Sequence, residues 1–322
     1  MGIRERENEL FARWADRRPG LVMDGVVDET AYLASSPKIL FLLKEVNDQN
    51  GGGLDLREYI GAGARPQTWE NIARWVKGIR NPDGEIPWDQ LSRIEEPDRI
   101  ETLKSICAIN IKKSPGGHTA IARDVVNVAA QDLDFLKEQF ALYDPDIVVC
   151  CGTGSEIDNI IGAGQWRATS RGISYREIAP RKFAIGYAHP KARVGSSLLY
   201  YGLIDAIREI IRHAAIVRID RRISFKKWSS LLDRVREINA STQETRWKFA
   251  IEENKIICIR AWLGRPVFEI RFAEARDKDQ ILYVDIHEVV AHLEHLADHA
   301  ASSKAIGTEV NLLIDGLIDR EE

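Results

Sequence analysis

The stretch Lys38–Asp48, KILFLLKEVND, decides the fold class of this chain. Residues 38–43 form a short apolar run, which is typical of a parallel strand that is buried on both faces. The next residues are mostly polar or charged and include Glu45, Asn47 and Asp48. In an open α/β sheet, ligands bind beyond the carboxyl ends of the strands. This stretch therefore predicts such a sheet, with a candidate site at the end of its first strand.

Three further stretches have the same character. Residues 105–111 (SICAINI), 146–151 (DIVVCC) and 183–188 (FAIGYA) are short apolar runs that lead into polar or glycine-containing turns. Amphipathic segments alternate with them, and helices are predicted over 68–79 (with Thr68 as N-cap), 125–142 and 198–213. Alternation of strands and helices predicts an α/β fold, a three-layer sandwich with a central parallel sheet, over residues 1–215.

The pattern changes at about residue 216. A helix is predicted over 228–238, and three strands over 247–251, 255–262 and 267–272, which are separated by turn residues. Further helices are predicted over 284–299 and 309–318. We therefore expect a separate, small α+β domain over residues 216–322.

Composition limits the classes of protein that fit. The chain has 322 residues, of which 44% are hydrophobic and 29% charged, and this is typical of a globular protein. No apolar run is long enough to span a bilayer, and the charged N-terminus lacks the apolar core of a secretory signal. Four cysteines are too few for a disulfide framework. We expect a cytoplasmic monomer that has no membrane partner.

Polar side chains follow the predicted strands at the point where each strand ends. Glu45, Asn47 and Asp48 follow the first, Asn110 closes the second and His189 follows the fourth. A lone asparagine at a strand end is usually a turn former, and a lone His-Pro pair is usually structural. The carboxyl ends of parallel strands meet at one edge of a sheet, however, so these five residues should converge.

Four stretches resemble, in the same order, motifs of the uracil-DNA glycosylase superfamily. They are KEVND (44–48), AINIKKSPGG (108–117), QFALYDPDIVVCCGTG (139–154) and YAHPKARVG (187–195), and the resemblance covers about residues 35–212. It implies a monofunctional DNA glycosylase that hydrolyses the N-glycosidic bond of a flipped base and leaves an abasic site. DNA is the implied partner. The net charge of −4 requires any basic contact surface to be local.

The resemblance also implies roles for single residues. His189 donates to the departing base, Asn110 reads the edge of the base, and a carboxylate within 45–48 handles the water. DNA contacts are implied for Lys112, Lys113, Lys191, Arg193 and Val194. Tyr59 and Trp69 are candidates to stack on the flipped base, since aromatic rings bind bases in this way.

The first motif departs from the superfamily pattern, which opens with glycine and contains proline. Lys44 and the pair Val46-Asn47 stand in those places. The residue that positions water therefore stays open between Glu45 and Asp48, with the amide of Asn47 as a third candidate.

The residues directly after that motif suggest the substrate. The aromatic residue that excludes the thymine methyl group in classical uracil enzymes has no equivalent beside Asp48, and glycines 51–53 and the run 61–63 (GAG) come next instead. A roomier pocket favours a bulky modified base, such as the glucosylated hydroxymethylcytosine that bacterial anti-phage members of the superfamily excise. Ordinary repair of uracil or deaminated bases is the alternative.

Two other classes of function remain open. One is a nucleic-acid-binding module that keeps the fold without the chemistry, and the other is a hydrolase of free nucleosides. No metal or other cofactor is expected. Cys150 and Cys151 are adjacent in a predicted strand, so their side chains point to opposite faces and cannot share one iron–sulfur cluster.

Overall fold

The computed structural model describes residues 1–48, 51, 53–81, 84–117, 120–179, 181–240, 247–252, 255–260, 265–276, 282–291 and 310–315. Contacts divide the chain into two compact units, Met1–Ile210 and Ile211–Glu322. Within the described residues, no helix is long and apolar enough to cross a membrane.

The first unit is a mixed α/β structure in which helices flank a mostly parallel central sheet. Its strands are β1 (Gly25–Val26), β2 (Ile39–Leu43), β3 (Cys107–Asn110), β4 (Ile147–Cys151), β5 (Arg167–Ala168), β6 (Ser174–Ala179) and β7 (Lys182–Tyr187). Its helices are α1 (Ile3–Arg17), α2 (Glu29–Leu33), α3 (Leu56–Gly61), α4 (Pro66–Ile79), α5 (Trp88–Leu91), α6 (Glu96–Lys104), α7 (Ala122–Gln131), α8 (Leu133–Ala141), α9 (Ile157–Ile161) and α10 (Ser196–Ala215), the last of which continues past the boundary.

The four predicted strands are confirmed as the parallel core of the sheet. The strand order is β1-β3-β2-β4-β7-β6-β5, in which β3, β2, β4 and β7 run parallel to one another. Every residue of β2, β3 and β4 is buried, as continuous apolar runs predict for strands that are covered on both faces.

The strand order fixes one point of the sheet at which a crevice should open. From β2 the chain crosses to β3 on one side, and β4 then lies on the other side of β2. Connections that leave in opposite directions create a topological switch point, and ligands of open α/β sheets bind there. The residues that come after Leu43 and Cys151 lie at this switch point.

Helix α4 and the helix expected over 125–142 differ from their predictions for reasons that the structure shows. Helix α4 begins at Pro66 rather than after Thr68, because proline is well suited to the first turn of a helix. The single helix expected over 125–142 is two helices, α7 and α8, which meet at Asp132. Arg18, which directly follows α1, donates from its guanidinium to the Asp132 carboxylate at 2.9 Å. This bond holds Asp132 at the junction of α7 and α8.

The second unit contains a five-stranded antiparallel sheet. Its elements are β8 (Ile216–Ser224), α11 (Phe225–Ala240), β9 (Trp247–Glu252), β10 (Lys255–Arg260), β11 (Arg265–Arg276) and β12 (Leu282–Ala291), with strand order β8-β12-β11-β10-β9. Residues 310–315 are helical, and Val310 and Ile314 join the apolar core of this unit.

One expectation for the second unit is wrong. The helix predicted over 284–299 is strand β12 as far as Ala291, and residues 292–299 lie outside the described residues. Strand β12 pairs with both β11 and β8, and Val284 and Ile286 alternate into the core. Central position in a sheet therefore overrides the local helical pattern.

Candidate active site at the ends of the parallel strands

The loops after β2 and β3 are joined by backbone hydrogen bonds. The Lys112 N–H donates to the Lys44 carbonyl at 2.9 Å, and the Gly116 N–H donates to the Val46 carbonyl at 2.9 Å. In return, the Asp48 N–H donates to the Gly116 carbonyl at 3.1 Å. The polar residues after β2 are thus fixed against the loop that contains the second motif.

Glu45 is held in place between these two loops. Its carboxylate forms an ion pair with the Lys112 ammonium, and its side chain is only 6% exposed. Gly116 packs directly against it, since a Cβ added at that glycine would lie 2.5 Å from each carboxylate oxygen. Asn47 is exposed, and Asp48 is half-buried. All three candidates for the residue that positions water are therefore at the predicted strand end, and Glu45 is held there by its ion pair and by its packing against Gly116.

His189 lies shortly after the end of β7, and its imidazole is half-buried. Burial lowers the pKa of His189 below its ordinary value of 6.5, and the positive charges of Lys44 and Lys191 lower it further. The ring is therefore neutral at neutral pH. Its Nδ1 accepts the Lys191 backbone N–H at 3.1 Å, so the single ring proton is on Nε2. His189 can thus offer an N–H donor while carrying no charge.

The loop that begins at His189 is anchored by helix α4. The Asn71 side-chain amide donates to the Pro190 carbonyl at 2.7 Å, and Arg74 donates to the Asn71 side-chain oxygen at 2.8 Å. Arg74 also donates to the Leu91 carbonyl at 2.7 Å. Sequence reasoning missed Asn71 and Arg74. The available signal was an amide and a guanidinium three residues apart within an otherwise apolar stretch of the helix.

The remainder of this loop is open to solvent. Lys191, Arg193 and Val194 are all exposed, with Val194 at 51%. The Ala192 N–H donates to the His189 carbonyl at 2.8 Å, which folds the loop into a turn. Two cations and an apolar side chain thus lie next to His189, at the positions for which the resemblance implies DNA contacts.

Asn110 and Lys113 are not open to a ligand in this structure. Asp24 accepts from the Asn110 backbone N–H at 2.7 Å and from its side-chain amide at 3.2 Å, and Asn110 is 1% exposed. Lys113 is fully buried and forms an ion pair with Asp24, to which Gln139 also donates at 2.9 Å. The DNA contact implied for Lys113 is therefore wrong, because its ammonium is enclosed with its carboxylate partner.

The two aromatic candidates have different surroundings. Tyr59 lines an open cleft of about 470 Å³ together with Arg65, Glu96 and Arg99, and its hydroxyl accepts the Arg65 N–H at 3.0 Å. None of the strand-end candidates lines this cleft. Trp69 is only 6% exposed, so it is a core residue of α4 and offers no face for a base to stack on.

Comparison with known proteins does not assign the chain to a family. No protein-family model matches it, and no curated protein matches it.

Proposed function

We propose that the first unit is a DNA glycosylase with the three-layer fold of the uracil-DNA glycosylase superfamily. It would hydrolyse the N-glycosidic bond of a flipped base and leave an abasic site. The observation that carries this proposal is the neutral, Nε2-protonated His189 at the carboxyl edge of the parallel sheet. A donor that is fixed beside a substrate, and that need not lose a charge, suits a leaving group that becomes negative.

The reaction needs a second group on the opposite side of the sugar. When the bond between C1′ and the base nitrogen breaks, its electron pair leaves with the base, and water supplies the oxygen that bonds to C1′. A carboxylate near C1′ stabilises the positive charge on the sugar and accepts a proton from the water, as in glycoside hydrolysis. Glu45 and Asp48 are the carboxylates of the strand end, and His189 stabilises the departing base.

Binding to DNA is supported by the loop of residues 191–194. DNA affinity depends mainly on contacts between cations and phosphates, and these contacts can be local in a chain whose net charge is −4. Lys191 and Arg193 provide two exposed cations next to His189. The exposed Val194 fits the space that a flipped base leaves in the stack, where apolar side chains insert in other DNA-bending proteins.

A bulky modified base is the substrate class that we favour. Gly51 and Gly53 are exposed and adopt left-handed backbone conformations, with φ of 60° and 68°. Side chains are disfavoured at such positions, so this part of the loop after Asp48 cannot form an aromatic wall. The favoured substrate is a hypermodified phage cytosine, which would make the protein a cytoplasmic antiviral enzyme. Uracil or another deaminated base remains the alternative.

A second function is favoured by one observation. Asn110, which the resemblance assigns to reading the base edge, is held by Asp24 and is almost fully buried. A module that binds nucleic acid without cleaving it would need no such reader. This alternative predicts DNA binding without release of any base.

The test is abasic-site formation on three duplexes of matched length. One is unmodified, one contains uracil, and one contains glucosylated hydroxymethylcytosine. We expect release from the modified duplex, loss of release in His189→Ala, and retention of the single-turnover rate at saturation in Lys191→Ala. The last variant is the matched control, since it removes a cation from the same loop but keeps the backbone N–H that orients His189. Binding of all three duplexes without any release would overturn the enzymatic proposal.

A further inference from the structure

Lys44 is a cation at the switch point that the proposed reaction does not use. It is the first residue after β2, and its carbonyl accepts the Lys112 N–H at 2.9 Å, so its backbone is fixed. Its side chain is partly buried. A lysine at this position would normally extend into water, because a free ammonium is strongly hydrated.

The Lys44 side chain instead extends from the end of β2 towards the end of β4. A Cβ added at Gly152 would lie 3.4 Å from the Lys44 Cε and 3.6 Å from its Nζ. Gly152 has a φ of 72°, and its N–H donates to the Tyr187 carbonyl at 2.8 Å, which ties the end of β4 to the end of β7. The glycine thus leaves room for the lysine to lie over the crevice between β2 and β4.

No carboxylate of the described residues forms an ion pair with the Lys44 ammonium. The Glu45 carboxylate, which is the next acid along the chain, pairs with Lys112 instead. Lys44 is close enough to His189 for its charge to lower the pKa of that imidazole, and Lys191 acts in the same direction. An ammonium that has no ion-pair partner here can donate charge-assisted hydrogen bonds to an anionic ligand.

We propose that the Lys44 ammonium binds an oxyanion of the bound nucleotide, beside the base on which His189 acts. This inference rests on the proposed function and deepens it. The oxyanion has two possible sources, a phosphodiester of the DNA backbone and the carbonyl oxygen of the departing base. Both sources present a negatively charged oxygen to the crevice. The phosphodiester is charged throughout, whereas the base oxygen becomes negative only as the N-glycosidic bond breaks.

Three variants test the proposal. Lys44→Gln removes the charge, Lys44→Arg keeps it, and Lys38→Gln is the matched control because it removes a lysine from the opposite end of the same strand. The ligand is a fluorescent duplex with a tetrahydrofuran abasic-site analogue, and its Kd is measured by anisotropy over a range of salt concentrations. The single-turnover rate of base release is measured at saturating substrate on the duplex that the wild-type protein cleaves.

The two sources of the oxyanion give different results. If the partner is a phosphodiester, Lys44→Gln weakens binding and reduces the salt dependence by about one ion, while the rate at saturation is kept. If the partner is the departing base, the rate falls by roughly 10²- to 10³-fold and the Kd is kept. In both cases Lys44→Arg recovers part of the loss. Equal Kd and rate in Lys44→Gln and Lys38→Gln would overturn the proposal.

A separate measurement distinguishes failure of this inference from failure of the proposed function. The His189 imidazole is observed by NMR while inorganic phosphate is added to the protein without DNA. We expect a shift of the His189 signal that is lost in Lys44→Gln and kept in Lys38→Gln, even if the wild-type protein neither binds nor cleaves DNA. If phosphate leaves the His189 signal of the wild-type protein unchanged, and neither DNA binding nor the rate of base release depends on Lys44, the anion site is refuted.

Discussion

Gly116→Ala should separate the three candidates for the residue that positions water. The new Cβ would lie 2.5 Å from each Glu45 carboxylate oxygen, whereas ordinary contact begins at 3.4 Å. The carboxylate must therefore move by about 1 Å, the difference between these two distances. The backbone of Gly116 is not in the left-handed region, so alanine adds no strain of its own there.

We expect a large loss of activity with a small loss of stability. A displacement of about 1 Å at a reacting group can cost on the order of 10²-fold in rate. The displaced carboxylate also weakens its bond to Lys112, and a hydrogen bond between charged groups contributes about 1.5–3 kcal/mol, which is an upper limit for the stability change. Single-turnover abasic-site formation gives the rate, and urea denaturation gives the free energy of unfolding.

The neighbouring glycine provides the control. A Cβ added at Gly117 would meet nothing within 4 Å, so Gly117→Ala should behave as the wild-type protein. If Gly116→Ala and Gly117→Ala release base at the same rate, Glu45 does not position the water. The assignment would then pass to Asp48 or to the amide of Asn47.

Three further predictions concern the surroundings of this strand end. His189→Ala should lose roughly 10²–10³ in single-turnover rate; because the pKa of His189 is lowered, the wild-type rate should fall to half its maximum at a pH below 6.5, and a midpoint at or above 6.5 would contradict the neutral donor. Asp24→Ala should lower the free energy of unfolding by about 3–5 kcal/mol because it leaves the buried Lys113 ammonium unpaired, and a urea midpoint equal to that of the wild-type protein would disprove this. Asn71→Ala should lower the free energy of unfolding by about 1–3 kcal/mol and slow base release, since the Pro190 carbonyl loses its donor. An unchanged urea midpoint together with an unchanged single-turnover rate would show that this anchor is not needed.

The sequence alone determined the parallel sheet and the identity of its strand ends. The apolar runs at 38–43, 105–111, 146–151 and 183–188 have no polar residue that could face water over most of their length, so burial on both faces follows directly. Glu45, Asn47, Asp48 and His189 come after such runs, and their places at one edge of the sheet result from the strand direction.

Only the tertiary structure decided which polar residues are open to a ligand. Asp24 lies 86 residues before Asn110 in the sequence, yet its carboxylate accepts from Asn110 and forms an ion pair with the Lys113 ammonium. The approach of Lys44 to Gly152 likewise depends on the pairing of two strands that are distant in sequence.

The same reason explains the error in the second unit. The segment 284–291 has apolar residues that fit either a helix or a strand, and its pairing with both β8 and β11 decides for the strand. Local patterns report the preference of a segment, whereas burial, ion pairing and strand pairing depend on partners that the chain supplies from elsewhere. Those partners are fixed only when the chain has folded.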